Sequence, residues 1–274
     1  MRIFLAGGSG LIGSRLIPAL ISAGHEVVAT TRREDKLVHL SDLGAEAVAV
    51  DVYDRAGVVE AVRIAAPDAV LHEMTDLRDS NTQANARLRR DGTANLVAAT
   101  NAAGVGRMIA QSIVWAFPDG DRPAAEDDPL LAGSAVEEME RLVLSVRHPT
   151  VLRYGMLYGP GTWYAPGGRI ARSVLDGRVP ATPAITCFVH IDDVVAATVS
   201  AIDWPEGIYH VTDDEPAPAT VWLPFYAAGL GAPEPRAESL PEGSPSGRAV
   251  SNAKAKRAGW APRYPTWRMG FPQL

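Results

Sequence analysis

Apolar positions in the first two-thirds of the chain follow two alternating rhythms. Short continuous apolar runs alternate with longer stretches in which apolar residues return every three to four positions. The first rhythm reads as buried strand and the second as amphipathic helix, so the alternation predicts βα units around a parallel sheet. The runs place strands at Arg2 to Ala6, Glu26 to Thr30, Ala47 to Val50, Ala69 to His72, Arg107 to Gln111 and Thr150 to Arg153. The helical rhythm covers Leu11 to Ala23, Asp54 to Ala65, Thr82 to Ala103 and Val136 to Val146. Pro18 falls inside the first helix, where it removes one backbone hydrogen bond.

Two segments break the alternation. Residues 118–133 are polar and rich in Pro and Asp; residues 159–183 are rich in Gly and Pro and carry Trp163, Tyr164 and Arg169. In open α/β sheets, loops at the carboxyl ends of the strands are where ligands bind. The expected fold is α/β: a Rossmann-type doubly wound parallel sheet with a small C-terminal substrate lobe, forming a single unit over residues 1–274. Residues 1–158 and 187–212 make the dinucleotide-binding core of this expectation, and residues 159–186 and 213–274 the lobe.

The first strand runs directly into Gly7-Gly8-Ser9-Gly10-Leu11-Ile12-Gly13 and then into a helix. In that position the three spaced glycines serve a tight turn, a close approach of backbone to a pyrophosphate, and packing of helix on strand. The phosphates then face free N–H groups and the positive end of the helix dipole. The second strand ends Thr30-Thr31-Arg32-Arg33. An acidic residue there would suit the ribose 2′-hydroxyl of NAD, whereas arginine suits a 2′-phosphate. The cofactor expected is therefore NADP(H) in preference to NAD(H), with the plainer reading that both arginines are solvated cations beside Glu34 and Asp35.

Composition narrows the class without naming a reaction. With 47% hydrophobic and 21% charged residues, the chain has ample material for a core. A net charge of −6 argues against a nucleic-acid surface. No stretch reaches the roughly 18 apolar residues of a membrane span, and Cys187 is the sole cysteine. With no export signal in view, a reducing cytoplasm is the expected setting, and a monomer or homodimer the expected state.

Taken together, the segments GGSGLIGSRL (7–16), DGTANLVAAT (91–100), QSIVWAF (111–117), LRYGMLYGPGT (152–162) and FVHIDDVVAATVSAI (188–202) resemble the NAD(P)-dependent epimerase/dehydratase family. These are the extended short-chain dehydrogenases/reductases. The resemblance implies that Asp51 and Val52 border the adenine, that His72 lies near the cofactor ribose, and that Tyr154 to Met156 line the nicotinamide. It also exposes departures. The family transfers protons with a Tyr-x-x-x-Lys pair, yet no tyrosine occurs between Tyr53 and Tyr154 and no lysine between Lys36 and Lys254. With Glu140 matched to the glutamate four residues beyond that lysine, the pair falls on Ala132 and Val136. Arg89 stands where the family has asparagine, three residues before Gly92. Ser112 keeps the position of the active-site hydroxyl.

Ser112 and Tyr154 are thus the catalytic candidates, with turn formation and packing as their plainer roles. Trp115, Trp163 and Tyr164 are candidates for a pocket wall. His190 with Asp192 reads as a helix start capped by Asp192 rather than a metal pair, and His72-Glu73-Met74-Thr75-Asp76 lacks the spacing of a zinc helix, so no metal is expected. The function expected is an NADP(H)-dependent oxidoreductase or epimerase/dehydratase-like enzyme acting on a small carbonyl or sugar-like molecule. Two alternatives stay open: an NADP-sensing regulator without turnover, and a non-redox isomerase, dehydratase or cyclase helped by the acidic loop at Glu126 to Asp128.

Overall fold

In the computed structural model, which describes residues 1–77 and 81–274, four of the six expected strands begin at the predicted residue, the third and last of the six begin one and two residues earlier, and Gly207–Val211 adds a strand that the apolar runs did not predict. β1 (Arg2–Ala6), β2 (Glu26–Thr31), β3 (Glu46–Ala49), β4 (Ala69–His72), β5 (Arg107–Ile113), β6 (His148–Tyr154) and β10 (Gly207–Val211) form one sheet in the order β10-β6-β5-β4-β1-β2-β3. The pairs β1–β2, β1–β4, β2–β3 and β4–β5 are parallel, with Ala6 opposite Thr30 and His72. The chain therefore moves outward from β1 in one direction, returns, and builds outward from β4 in the other. That reversal opens a crevice at the carboxyl ends of β1 and β4, the place where such sheets bind nucleotides.

Amphipathic helices cover the sheet. α1 (Gly13–Ser22) buries Leu16, Ile17 and Leu20, each stabilising the fold by about 1.5–3 kcal/mol relative to exposure. Pro18 sits on its exposed side. α2 (Leu37–Asp42) was not evident from the hydrophobic rhythm, being too short to show one. α3 (Arg55–Ala65) is capped by Asp54, whose carboxylate accepts the Gly57 N–H at 3.1 Å. The long helix expected over 82–103 is present as α4 (Thr82–Arg87) and α5 (Thr93–Ala102), joined by a π turn at Leu88–Gly92. α6 (Ala135–Val143) starts at Ser134, whose hydroxyl accepts the Glu137 N–H, and it packs against the π turn.

The chain divides into two compact units. The first comprises residues 1–112, 132–152 and 195–208; the second comprises 113–131, 153–194 and 209–274. The first unit has an aliphatic core of Phe4, Val28, Val62, Val70, Leu96, Met108 and Val151 and their neighbours.

The second unit is built differently. β7 (Met156–Tyr158) pairs with β9 (Phe188–His190), and β8 (Ile185–Thr186) with β11 (Ala217–Pro218). α7 (Arg169–Leu175) and α9 (Ala219–Leu230) pack together. Its core is aromatic: Tyr158, Tyr164, Phe188, Trp222, Tyr226, Trp267 and Phe271 meet mostly edge to face. Tyr164 is thus core rather than pocket wall, Trp163 is covered by the Arg169 guanidinium, and Trp115 is exposed.

Two further expectations change. Asp192 does not cap α8 (Ile191–Ser200); the helix starts one residue earlier, and the Asp192 N–H donates instead to His190 Nδ1 at 3.2 Å. The neighbouring Asp193 is buried and accepts the Arg263 and Tyr264 N–H groups at 2.7 and 2.9 Å. The acidic loop at Glu126 to Asp128 is a clasp. Asp128 holds Arg122 and Arg248, both at 2.7 Å, which keeps its carboxyl below the usual range.

Candidate functional site

Between β1 and α1 the chain makes the glycine turn, and its three spaced glycines answer different demands. A Cβ on Gly7, whose φ is +96°, would lie 2.9 Å from the Glu73 carbonyl carbon; one on Gly13 would lie 2.3 Å from the Gly7 oxygen. Those two positions are closed by the protein's own backbone. Around Gly10 a Cβ would meet only the Gly7 oxygen, at 3.2 Å, with nothing else within 4 Å. Apart from that one contact, the space beside Gly10 is open. It faces the start of α1, where Ile12 provides no side-chain cap and the first turn has no acidic residue. An open cradle beside an uncapped helix start fits an anionic pyrophosphate.

The turn is tied to the end of β2. The Gly8 N–H donates to the Thr30 carbonyl at 3.0 Å, and Ser9 Oγ lies 2.9 Å from Thr31 Oγ1. Thr31 Oγ1 also accepts the Arg33 N–H at 3.1 Å. Beyond it, exposed Arg32 reaches Asp76 at 3.2 Å, and exposed Arg33 makes a two-pronged contact with Asp35 at 3.0 and 2.6 Å. Exposed ion pairs of this kind are weak, so either guanidinium is available to a stronger anion at little cost. After β3, the Asp51 carboxylate accepts the Tyr53 N–H at 3.0 Å, while Asn95 of α5 holds the Val52 carbonyl at 2.9 Å. These contacts fix the loop that the resemblance puts beside the adenine.

His72, the last residue of β4, is fully buried. The Met74 N–H donates to its Nδ1 at 3.3 Å, so its proton sits on Nε2, which donates to Thr93 Oγ1 at 2.8 Å. Burial, and then the positive charge of Arg89, push its pKa down to about 4. His72 is a neutral structural donor at physiological pH, not a proton shuttle.

Where the family carries its tyrosine and lysine, Ala132 is exposed ahead of α6 and Val136 is buried under it. One turn further on, Glu140 is buried and accepts a hydrogen bond from Ser112 at 2.5 Å. The direction of this bond matters. With its proton committed to a carboxylate, Ser112 presents oxygen lone pairs and is a poor donor to a carbonyl. The pair is electron-rich, suited to a positively polarised group. Sequence inspection used Glu140 only as an alignment marker; the 28-residue separation leaves no local signal for the contact. Tyr154, buried at the end of β6, and Met156, at the start of β7, belong to the second unit. Among the described residues, no group of three or more His, Cys, Asp or Glu is placed to hold a metal, and no helix is long and apolar enough to cross a membrane.

This nucleotide cradle sits in a chain whose residues 3–212 match the model of the NAD dependent epimerase/dehydratase family. The chain belongs to that family. Along 99% of both chains it is 42% identical to a 3-diazoavenalumate denitrifying reductase of a Streptomyces species. A 2-alkyl-3-oxoalkanoate reductase of Stenotrophomonas maltophilia is 28% identical, over 85% of this chain and 77% of the relative. Among solved structures, the UDP-glucose 4-epimerase of Thermus thermophilus in complex with NAD superposes with a TM-score of 0.80 at 25% identity, covering 99% of this chain and 97% of that one. WbmG of Bordetella bronchiseptica, with NAD and UDP, reaches 0.83 at 19% identity, covering 99% and 92%, a likeness of fold alone. This family member is an NAD(P)-dependent enzyme of the oxidoreductase/epimerase type.

Proposed function

We propose that this family member is an NADPH-dependent reductase of a small, electron-poor organic molecule, with a diazo-bearing compound as the substrate class. In this reading Gly7, Ser9, Gly10, Leu11, Ile12 and Gly13 cradle the pyrophosphate. Asp51 and Val52 border the adenine, and His72 with Thr93 shapes the ribose side. Arg32 and Arg33 exchange their carboxylate partners for a 2′-phosphate, which a guanidinium fork binds with charge-assisted hydrogen bonds.

The observation that carries the reading is the Ser112–Glu140 pair, with Ala132 and Val136, which offer no proton, at the positions that the resemblance gives to the tyrosine and lysine. Ketone reduction leaves an oxyanion that must be protonated, and an electron-rich serine next to a carboxylate opposes that charge. When bound, the dihydronicotinamide supplies hydride, and an arenediazonium that accepts it gives the arene and dinitrogen without any proton from the protein. Ser112, polarised by Glu140, favours the cationic group electrostatically. The 42% identity to a denitrifying reductase of a diazo compound supports the same class.

The test is to mix the full chain with NADPH and either an arenediazonium salt or a simple aryl ketone. Nicotinamide absorbance and released dinitrogen are then followed against protein-free controls. Enzyme-dependent loss of NADPH with the diazonium and not with the ketone is the expected result. Ketone turnover alone would overturn the substrate class, and binding of NADPH without turnover of either would overturn the reductase reading.

A further inference from the structure

The end of α4 and the π turn after it carry three arginines within four residues, and they are treated unequally. Arg87 stacks on the Tyr53 ring, its guanidinium carbon 4.2 Å from the centroid, and reaches Asp91 at 3.4 Å. Arg90 holds Glu138 at 2.6 Å and the Gly133 carbonyl at 3.2 Å. Arg89 is half-buried between them, yet its guanidinium makes no hydrogen bond or ion pair with any described residue. Burial lowers its pKa, opposed by the charge of Glu140, and an arginine stays protonated through such a shift. A partly desolvated cation whose donors meet no acceptor among the described residues is positioned to receive an anion. Glu140, whose charge acts on Arg89, receives the Ser112 hydroxyl on Oε1.

We propose that Arg89 is the residue that receives an anionic group of the substrate, a carboxylate, beside the Ser112–Glu140 pair. Its planar fork matches a carboxylate in two-pronged geometry. The π turn is what puts it there. An extra residue in the helical turn packed against α6 gives consecutive arginines separate targets: Arg90 meets α6 at Glu138, and Arg89 is left to face the charge of Glu140. A substrate carrying a carboxylate at one end and a positively polarised group at the other then finds a cation and an electron-rich pair in matching order. This inference rests on the reductase reading for calling the bound anion a substrate. The binding of the anion itself is measurable without turnover.

The experiment is calorimetry on the full chain saturated with NADP+, titrating trans-cinnamate and benzoate and, separately, their primary amides, which have the same shape without the charge. Wild type should bind at least one carboxylate tenfold or more tightly than its amide. Arg89→Gln should erase that preference, Arg89→Lys should keep part of it, and NADP+ affinity should be unchanged in both. Absence of any carboxylate preference in wild type overturns the proposal whether or not the variants fold. A preference that survives Arg89→Gln overturns it too. A tenfold or greater loss of NADP+ affinity in Arg89→Gln assigns the guanidinium to a cofactor phosphate instead. Should the chain consume NADPH with no acceptor, the reductase reading falls while the carboxylate preference still stands or fails by itself.

Discussion

The glycine turn and the Ser112–Glu140–Arg89 group lie in the same unit and rest on opposite kinds of chemistry. The turn works through main-chain groups: two glycines that the backbone requires, one that leaves space, and N–H groups at a helix start. The second group works through side chains from β5, α6 and the π turn, no two of them neighbours in sequence. The first arrangement is shared by any chain that binds a dinucleotide this way. The second joins Ser112 and Glu140, which the resemblance puts at family positions, to Arg89, which it puts in place of an asparagine. Binding and chemistry are therefore separable here, and substitutions should separate them.

The largest effect belongs to Gly13→Val. Its Cβ would fall 2.3 Å from a backbone oxygen that has no room to move, so the protein should lose more than about 3 kcal/mol and fail to accumulate folded. Gly10→Val has one tight Cβ contact, 3.2 Å to the Gly7 oxygen, and should melt far closer to wild type than Gly13→Val, while its NADPH affinity in calorimetry falls roughly 10²-fold or more, because the side chain takes the phosphate space. Equal behaviour of the two variants would break the distinction between glycines kept for the fold and glycines kept for the ligand.

Ser112→Ala addresses the other group. Turnover of an arenediazonium should drop roughly 10²-fold with NADPH affinity unchanged. Loss of affinity alone would make Ser112 part of the cradle.

His72 gives a smaller effect, read through pH. Its pKa is about 4 in the folded protein and 6.5 when unfolded, so between these values the unfolded chain binds more protons. The stability it contributes is present above pH 6.5 and is lost as the pH falls towards 4. His210, lowered to about 3, acts in the same sense, so the comparison must be with His72→Gln. Between pH 7 and pH 5, wild type should lose about 2 kcal/mol more than the variant in urea unfolding. Parallel losses would mean that His72 is not held neutral.

The smallest change is expected at the exposed arginines. Replacing Arg32 and Arg33 together by Asp should remove a preference for NADPH over NADH of roughly tenfold or more, measured by calorimetry. Identical ratios before and after would leave them as surface cations paired with Asp76 and Asp35.

By itself the sequence determined the sheet strands of the first unit, their flanking helices and the glycine turn. Each depends on local periodicity or on main-chain geometry encoded over a few consecutive residues. It also showed what was missing, the tyrosine and the lysine, since an absence needs no structure to be read. Only the tertiary structure decided which side chains meet. Ser112 and Glu140 come together across 28 residues, with the hydroxyl donating to the carboxylate. Asp128 became a clasp because Arg248 reaches it across 120 residues. Arg87, Arg89 and Arg90 look alike in sequence and differ in what they meet: Tyr53 and Asp91 for Arg87, Glu138 for Arg90, and no hydrogen-bonded acid among the described residues for Arg89. Periodicity reports which side of an element is buried; the partner that a side chain finds there depends on another element's position, which no local pattern carries.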